Sequence, residues 1–95
     1  MDGMDSLKKT RTLELKNKLG MHARAAASFV KVAQKFQSRI YLERNGQTVD
    51  GSSILDILTL GCPYGGKLTV KAEGIDAALA VDELEKLIEN KFGEE

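Results

Sequence analysis

The feature that most constrains the fold of this chain is the dipeptide Asn45-Gly46, which lies between two runs of strand-forming residues. Both residues accept the positive φ angles of a type I′ turn, the tight connection between two antiparallel strands. The flanking runs, 39–44 and 47–50, contain aliphatic, aromatic and β-branched side chains. The sequence therefore predicts a β-hairpin over these residues.

Two further segments alternate apolar and polar side chains with the period of a half-buried strand. The first begins at Thr10 and places Leu13 and Leu15 on one face. The second covers 67–73, follows a turn cluster rich in glycine and ends at Gly74. Together with the hairpin, these segments predict four strands.

Three segments have the apolar period of amphipathic helices, and they cover 23–36, 54–60 and 76–90. Ser53 directly precedes the short second helix and is predicted to be its N-cap. The predicted order of elements is β-α-β-β-α-β-α. The apolar faces of the strands and helices must be buried against each other. This order predicts an α+β fold, a two-layer open-faced sandwich in which three helices cover one face of a four-stranded antiparallel sheet.

The length of 95 residues is that of one domain, and 42% hydrophobic with 29% charged residues is a globular composition. Residues 1–9 are mostly polar, and we predict that they form a flexible N-terminal extension. The remaining residues, 10–95, are then a single domain.

The charge and the scarce residue types argue against several classes of function. Fourteen basic and fourteen acidic residues give a net charge of zero, which disfavours nucleic-acid binding. The lone Cys62 forms no internal disulfide, and one cysteine with one histidine is too few for a zinc site. No apolar run is long enough to span a membrane. We expect a cytoplasmic protein without metal, cofactor or membrane insertion.

His22 lies between Gly20 and the first turn of the first predicted helix. The unpaired backbone N–H groups of Ala23, Arg24 and Ala25, together with the positive end of the helix dipole, favour an anion at this position. Arg24 adds a positive charge. Neutral imidazole is nucleophilic, and a phosphoryl group on its nitrogen is transferable, so these residues suit phosphoryl carriage. The alternative is a surface histidine that only caps the helix.

The string G-M-H-A-R-A-A-A at 20–27 is followed by an amphipathic helix, the Asn-Gly hairpin, S-I-L-D-I-L-T-L-G at 53–61, and a closing helix. This arrangement resembles the HPr family, the histidine-containing phosphocarrier proteins of the bacterial phosphoenolpyruvate-dependent phosphotransferase system (PTS). The resemblance extends from about Thr12 to Phe92, which is most of the chain.

The resemblance implies a role for three residues. His22 matches the histidine that accepts a phosphoryl group on Nδ1 from enzyme I and passes it to IIA domains, for sugar uptake or regulation. Arg24 matches the arginine that neutralises the phosphoryl group. Ser53 matches the serine that HPr kinase/phosphorylase modifies in many Gram-positive and some other bacteria. The resemblance thus implies a phosphoryl carrier rather than a stand-alone enzyme, and we take a monomer as the default oligomeric state.

Two residues depart from the family pattern. Ala25 stands where proline is typical, which removes a preorganised φ angle and adds an N–H group that can reach a phosphate. We expect a modest effect on transfer. Asp56 adds a negative charge to a helix that carries a positive or neutral residue there in some relatives, which bears on the choice of partner.

Five apolar residues near His22 and on the second helix exceed what one side of a short helix needs for core packing, and we predict that they form a docking patch for partner proteins. These residues are Met21, Ala27, Ile54, Leu55 and Leu58. Core packing is the alternative for each of them.

Two other functions fit parts of the sequence. One is a regulatory binding module that docks on a transcription factor or enzyme, is controlled through phosphorylation of Ser53 and has a vestigial His22. The presence of Arg24 together with His22 argues against it. The other is an RNA-binding or acylphosphatase-like α+β domain, which lacks strand aromatics for stacking and a phosphate-binding loop.

Overall fold

The computed structural model describes residues 7–94. Within them the chain forms four strands and three α-helices in the predicted order. Their bounds are β1 (Lys8–Glu14), α1 (Ala23–Ala33), β2 (Arg39–Arg44), β3 (Gln47–Asp50), α2 (Ile54–Leu58), β4 (Lys67–Glu73) and α3 (Ala77–Glu89).

The strands form one antiparallel sheet in the order β1-β4-β2-β3, so β4 lies between β1 and β2. Val70 in the middle of β4 is opposite Arg11 on one side and Leu42 on the other. Asn45 and Gly46 have φ angles of 53° and 82° and close the β2–β3 hairpin, as predicted. The α+β fold class is confirmed.

The core lies between the sheet and the helices, with α3 against β1 and β4, α2 beside β3, and α1 packed on α2 and α3. Alternate residues of the strands are buried, as the period of two requires. Full burial of each large apolar side chain stabilises the fold by about 1.5–3 kcal/mol. The largest fully buried apolar side chains are Phe29, Leu15, Leu42, Ile57, Leu68, Leu84, Ile88, Val70 and Val81.

The opposite face of the sheet is polar. Thr12 and Thr69 share a hydrogen bond between their hydroxyl oxygens at 2.9 Å, across the β1–β4 pair. The ammonium of Lys71 lies 2.6 Å from a carboxylate oxygen of Glu43 on β2. This face of the sheet therefore carries polar and ionic pairs instead of apolar side chains, and the two-layer sandwich leaves it open to solvent.

The first strand begins at Lys8, two residues before the predicted Thr10. Lys8 pairs with Glu73 and Lys9 with Ala72, so β1 spans the full length of β4. Polar side chains at an edge strand have no core partner, and the alternation in the sequence therefore gave no signal for them. Residues 1–6 of the predicted extension lie outside the described residues.

Two helices end earlier than predicted. α1 ends at Ala33 rather than Phe36, because beyond its C-cap Gln34 the amides of Lys35 and Phe36 bond three residues back instead of four. Phe36 still packs against the core, which explains why its apolar spacing matched a helix. α2 ends at Leu58, and the amide of Leu60 likewise bonds three residues back.

Asp76 joins the connection between α1 and β2 to the start of α3. Its carboxylate accepts hydrogen bonds from the backbone N–H groups of Gln37 and Ser38, both at 2.9 Å, and from the Ser38 hydroxyl at 2.5 Å. The Ser38 hydroxyl and the Gln37 amide hold the pKa of Asp76 below its ordinary value.

A turn over Lys91–Gly93 follows α3 and was not predicted. Lys91 and Phe92 both have a φ of 57°, and Gly93 has a φ of 75°. Such angles cost about 1–3 kcal/mol for a non-glycine residue, and they persist only where packing compensates for that cost. The side chain of Phe92 is buried against the core and supplies that packing. The turn directs Glu94 back towards the N-terminus of α1.

Candidate functional site

His22 is the N-cap residue of α1. Its backbone is extended, with φ −95° and ψ 179°, and its carbonyl accepts the first intrahelical bond from Ala26 at 2.9 Å. Its imidazole makes no hydrogen bond to the amides of its own helix. The side chain is 26% exposed. Capping through the ring is therefore not its role, and the imidazole is left for other contacts.

The loop before His22 is held by a close backbone contact at Gly20. Gly20 has a φ of 66°, and a Cβ built on it would lie 2.7 Å from the carbonyl oxygen of Cys62. The amide of Met21 donates to that same carbonyl at 2.9 Å. Only glycine fits this position, and the contact fixes the backbone that leads into the histidine.

The first turn of α1 presents unpaired N–H groups. Ala23, Arg24 and Ala25 precede Ala26, whose amide makes the first intrahelical bond, so their amides have no acceptor within the helix. The first turn contains no acidic residue. The methyl group of Ala25 is fully buried, which shows that this position packs on the core without a proline ring. The turn is an electropositive helix end of the kind that attracts anions.

An open depression in the surface contains His22 and Arg24 together. Its lining residues are Lys18, Leu19, His22, Arg24, Phe92, Gly93 and Glu94. Arg24 is exposed, and Leu19 is 72% exposed. Lys18 and Leu19 are neighbours of the Gly20 turn, and their proximity to His22 along the chain was a signal that sequence reasoning did not use.

Glu94 contacts the imidazole directly. Its carboxylate oxygen Oε2 contacts Nε2 of His22, and its other oxygen, Oε1, accepts a hydrogen bond from Nδ2 of Asn17 at 3.2 Å. The same Asn17 nitrogen donates to the carbonyl of Gly20 at 2.7 Å. Asn17 is fully buried, and within the described residues its Oδ1 has no partner. Sequence reasoning missed Asn17 and Glu94, because Glu94 lies 72 positions from His22 and 77 positions from Asn17, and no local pattern joins residues so far apart.

Ser53 caps α2 as predicted. Its hydroxyl oxygen accepts the backbone N–H of Asp56 at 3.2 Å. The carboxylate of Asp56 lies in the first turn of the helix and is exposed, so it favours the dipole at that end. The side chain of Ser53 is half-buried, and the cap leaves it close to the surface.

Some of the predicted docking residues are exposed in the structure, and others pack in or against the core. Leu55 is 76% exposed and Ile54 is 38% exposed, and Ala27 on α1 is exposed as well. Leu58 is half-buried and packs against the core. Met21 is only 6% exposed, so its place in the docking patch is wrong. Its side chain belongs to the buried core, and its amide is anchored on the carbonyl of Cys62.

Apart from this depression, the described residues offer few groups for metal binding or nucleophilic chemistry. Within residues 7–94 no three His, Cys, Asp or Glu side chains come together as metal ligands. Burial raises the pKa of the Cys62 thiol, so the thiolate form that acts as a nucleophile is disfavoured. No helix in this part of the chain is both long and apolar enough to cross a membrane.

Comparison with known proteins connects this site to a family. The family model for PTS-HPr, described as the PTS HPr component phosphorylation site, matches residues 9–90. Phosphocarrier protein HPr of Cupriavidus necator is 42% identical over 78 residues, which cover 82% of this chain and 88% of the relative. That of Treponema pallidum is 36% identical over 85 residues, covering 90% and 97%.

Solved structures agree with the sequence comparison. HPr of Thermoanaerobacter tengcongensis superposes with a TM-score of 0.88 at 47% identity, covering 92% of this chain and 98% of that one. Crh of Bacillus subtilis, described as a swapped dimer, superposes with a TM-score of 0.72 at 33% identity, covering 83% and 91%. The family model matches most of this chain, and HPr proteins that are more than 40% identical to it share its fold. The chain therefore belongs to the HPr family of PTS phosphocarrier proteins.

Proposed function

We propose that this chain carries a phosphoryl group on His22, which it accepts from the phosphohistidine of enzyme I and donates to IIA domains. One observation carries the proposal. The imidazole of His22 is partly exposed at the N-terminus of an 11-residue helix, is not used as a cap, and lines one depression together with Arg24. Membership of the HPr family supports the same role.

The proposed step is a displacement at phosphorus. The lone pair of a His22 ring nitrogen forms a new N–P bond while the N–P bond of the donor histidine breaks, and that electron pair returns to the donor ring. Such transfers need positioning and charge stabilisation more than covalent assistance from the protein. The helix N-terminus and the guanidinium of Arg24 supply the positive charge for the phosphoryl oxygens.

Partner proteins would dock on the exposed apolar side chains. Ala27, Ile54 and Leu55 from the predicted patch are exposed, and α2 packs beside α1. We add Leu19, which lines the depression around His22. A small apolar patch beside the reacting group suits brief contacts with several partners. The choice between sugar uptake and a regulatory branch belongs to the partners, and both would use His22.

Ser53 would be a regulatory site for HPr kinase/phosphorylase. A phosphate there adds about −1.5 to −2 charges, beside the exposed Asp56 and next to the apolar Ile54 and Leu55. The helix dipole accommodates this charge at the N-terminus of α2, so we expect blocked docking rather than unfolding. The alternative of a binding module with a vestigial histidine is not favoured, because His22 and Arg24 are both present and line the same depression.

We further propose that the protein works in the cytoplasm as a monomer, together with its PTS partners. Crh of Bacillus subtilis is described as a swapped dimer, so the oligomeric state needs a direct measurement. Light scattering after gel filtration should give the mass of one chain, 10.4 kDa.

The function is tested by phosphorus-31 NMR after the protein is mixed with phosphoenolpyruvate and a catalytic amount of enzyme I from the same organism. We expect an acid-labile phosphohistidine signal that is absent from His22→Ala. A signal that persists in His22→Ala would place the phosphoryl group on another residue. Absence of any signal from the wild-type protein would overturn the carrier function.

A further inference from the structure

The contact between His22 and Glu94 is a second functional feature of the site. The ring nitrogen Nε2 faces the carboxylate oxygen Oε2 of Glu94. The other carboxylate oxygen accepts a hydrogen bond from the buried side-chain amide of Asn17. Both partners are partly buried, with side-chain exposures of 26% for His22 and 15% for Glu94. Partly buried pairs lose less of their attraction to solvent and salt than pairs on an open surface.

We propose that Glu94 is a positioning residue that holds His22 in the tautomer needed for phosphoryl transfer. The proposal rests on the carrier function of His22 given above. An ionised carboxylate has no hydrogen and is only an acceptor. The Nε2 atom that faces Glu94 therefore carries the proton. A neutral imidazole has one N–H group, so the lone pair lies on Nδ1, the nitrogen that the family resemblance assigns to the phosphoryl group.

The same contact accounts for the charge that develops during transfer. When the lone pair of Nδ1 of His22 forms the bond to phosphorus, the N–P bond of the donor histidine breaks and its electron pair returns to the donor ring. The proton on Nε2 stays in place throughout. The His22 ring thereby gains positive charge, and the carboxylate of Glu94 lies where it balances that charge. No proton has to leave or enter the ring in this step.

Three features keep the carboxylate in place. The turn over Lys91–Gly93 reverses the chain, and the buried side chain of Phe92 anchors that turn on the core. Asn17 then connects Oε1 of Glu94 to the carbonyl of Gly20, which belongs to the loop that leads into the histidine. The side-chain amide of Asn17 thus ties the carboxylate of Glu94 to the loop that leads into His22.

The proposal is tested by nitrogen-15 NMR of the imidazole in the unphosphorylated protein. His22 is the only histidine, so its ring signals need no assignment among others. The wild-type protein should show the Nε2–H tautomer with a downfield, slowly exchanging ring proton. Glu94→Ala should lose that proton signal and relax to the tautomer mixture of a free imidazole. Glu94→Gln should keep the tautomer, because its amide oxygen also accepts.

The rate of transfer supplies the second measurement, in single turnovers with phosphorylated enzyme I. Glu94→Ala should slow acceptance by about 10-fold, in the range found for residues that orient a reacting histidine. Glu94→Gln should lie between Glu94→Ala and the wild-type protein, because it keeps the tautomer and loses the charge. Glu89→Ala is the matched control, since Glu89 pairs with Lys16 at 2.7 Å rather than with the histidine. It should behave like the wild-type protein in both measurements.

Two outcomes overturn the proposal and are distinct from each other. If Glu94→Ala keeps the wild-type ring spectrum and the wild-type rate, Glu94 does not position His22, although the carrier function stands. If the wild-type protein accepts no phosphoryl group, the carrier function fails and the positioning role fails with it. The ring spectra alone still report whether the contact forms, because they need no partner protein.

Discussion

Gly20 lies so close to Cys62 that a Cβ on Gly20 would be 2.7 Å from the Cys62 carbonyl oxygen. The next amide along the chain, that of Met21, donates to this same oxygen. The contact therefore fixes the loop two residues before His22. The position of His22 depends on backbone packing against a distant turn as well as on the helix that follows.

The first prediction concerns this contact. Gly20→Ala should destabilise the fold by about 3 kcal/mol, since it adds a backbone clash to the strain of a positive φ. Gly61→Ala is the matched control, because Gly61 has a similar φ of 58° and no atom within 4 Å of the added Cβ. It should cost only about 1–2 kcal/mol. Urea unfolding measures both, and equal costs would show that the close contact adds nothing.

The second prediction concerns Arg24. Arg24→Ala should slow phosphoryl acceptance about 100-fold, as removal of a single charge-stabilising donor does elsewhere. The side chain is exposed, so thermal stability should hardly change. Single-turnover kinetics with enzyme I measure the rate. Lys31→Ala removes an exposed cation from the other end of α1 and serves as the control. Equal rates for the two variants would remove Arg24 from the mechanism.

The third prediction separates the two roles of Ser53. Ser53→Ala should cost about 1 kcal/mol through loss of the N-cap. Ser53→Asp and Ser53→Asn both keep a capping oxygen, but only the aspartate adds a negative charge. Calorimetric titration with enzyme I should therefore show weaker binding for Ser53→Asp than for Ser53→Asn. Indistinguishable affinities would leave Ser53 as a cap alone.

The fourth prediction concerns the docking surface. Leu55→Ala should weaken binding to enzyme I by about 1 kcal/mol, or roughly fivefold, without loss of stability, because the side chain is 76% exposed. Ile75→Ala is the matched control, since Ile75 is 79% exposed and precedes α3. Equal loss of binding in both variants would mean that α2 is not the docking surface.

The fifth prediction concerns acid stability. The hydrogen bonds from Ser38 and Gln37 lower the pKa of Asp76 in the folded state. A lowered folded pKa stabilises the fold above the unfolded value of about 3.9, and the contribution is lost as the pH falls through the folded pKa. The difference in unfolding free energy between the wild-type protein and Asp76→Asn should thus be largest near neutral pH and shrink below about pH 4. Urea unfolding between pH 7 and pH 2.5 checks this, and a constant difference would contradict it.

The elements that match the prediction best are those defined by local chemistry. The hairpin strands and β4 have the predicted bounds, because the Asn45-Gly46 turn and strict alternation depend only on neighbouring residues. The elements that differ depend on distant partners. Lys8 and Lys9 join the sheet through pairing with β4, and Met21 is buried because its loop packs on a turn some 40 residues later in the chain.

The candidate site divides in the same way. The sequence by itself determined His22 at a helix start, Arg24 beside it and Ser53 as a cap, since helix ends and their dipoles are local properties. Only the tertiary structure decided that Glu94 faces the imidazole and that Asn17 holds it there. Such contacts between residues far apart in the chain arise when buried side chains pack and turn the backbone back on itself, and no short-range pattern records them.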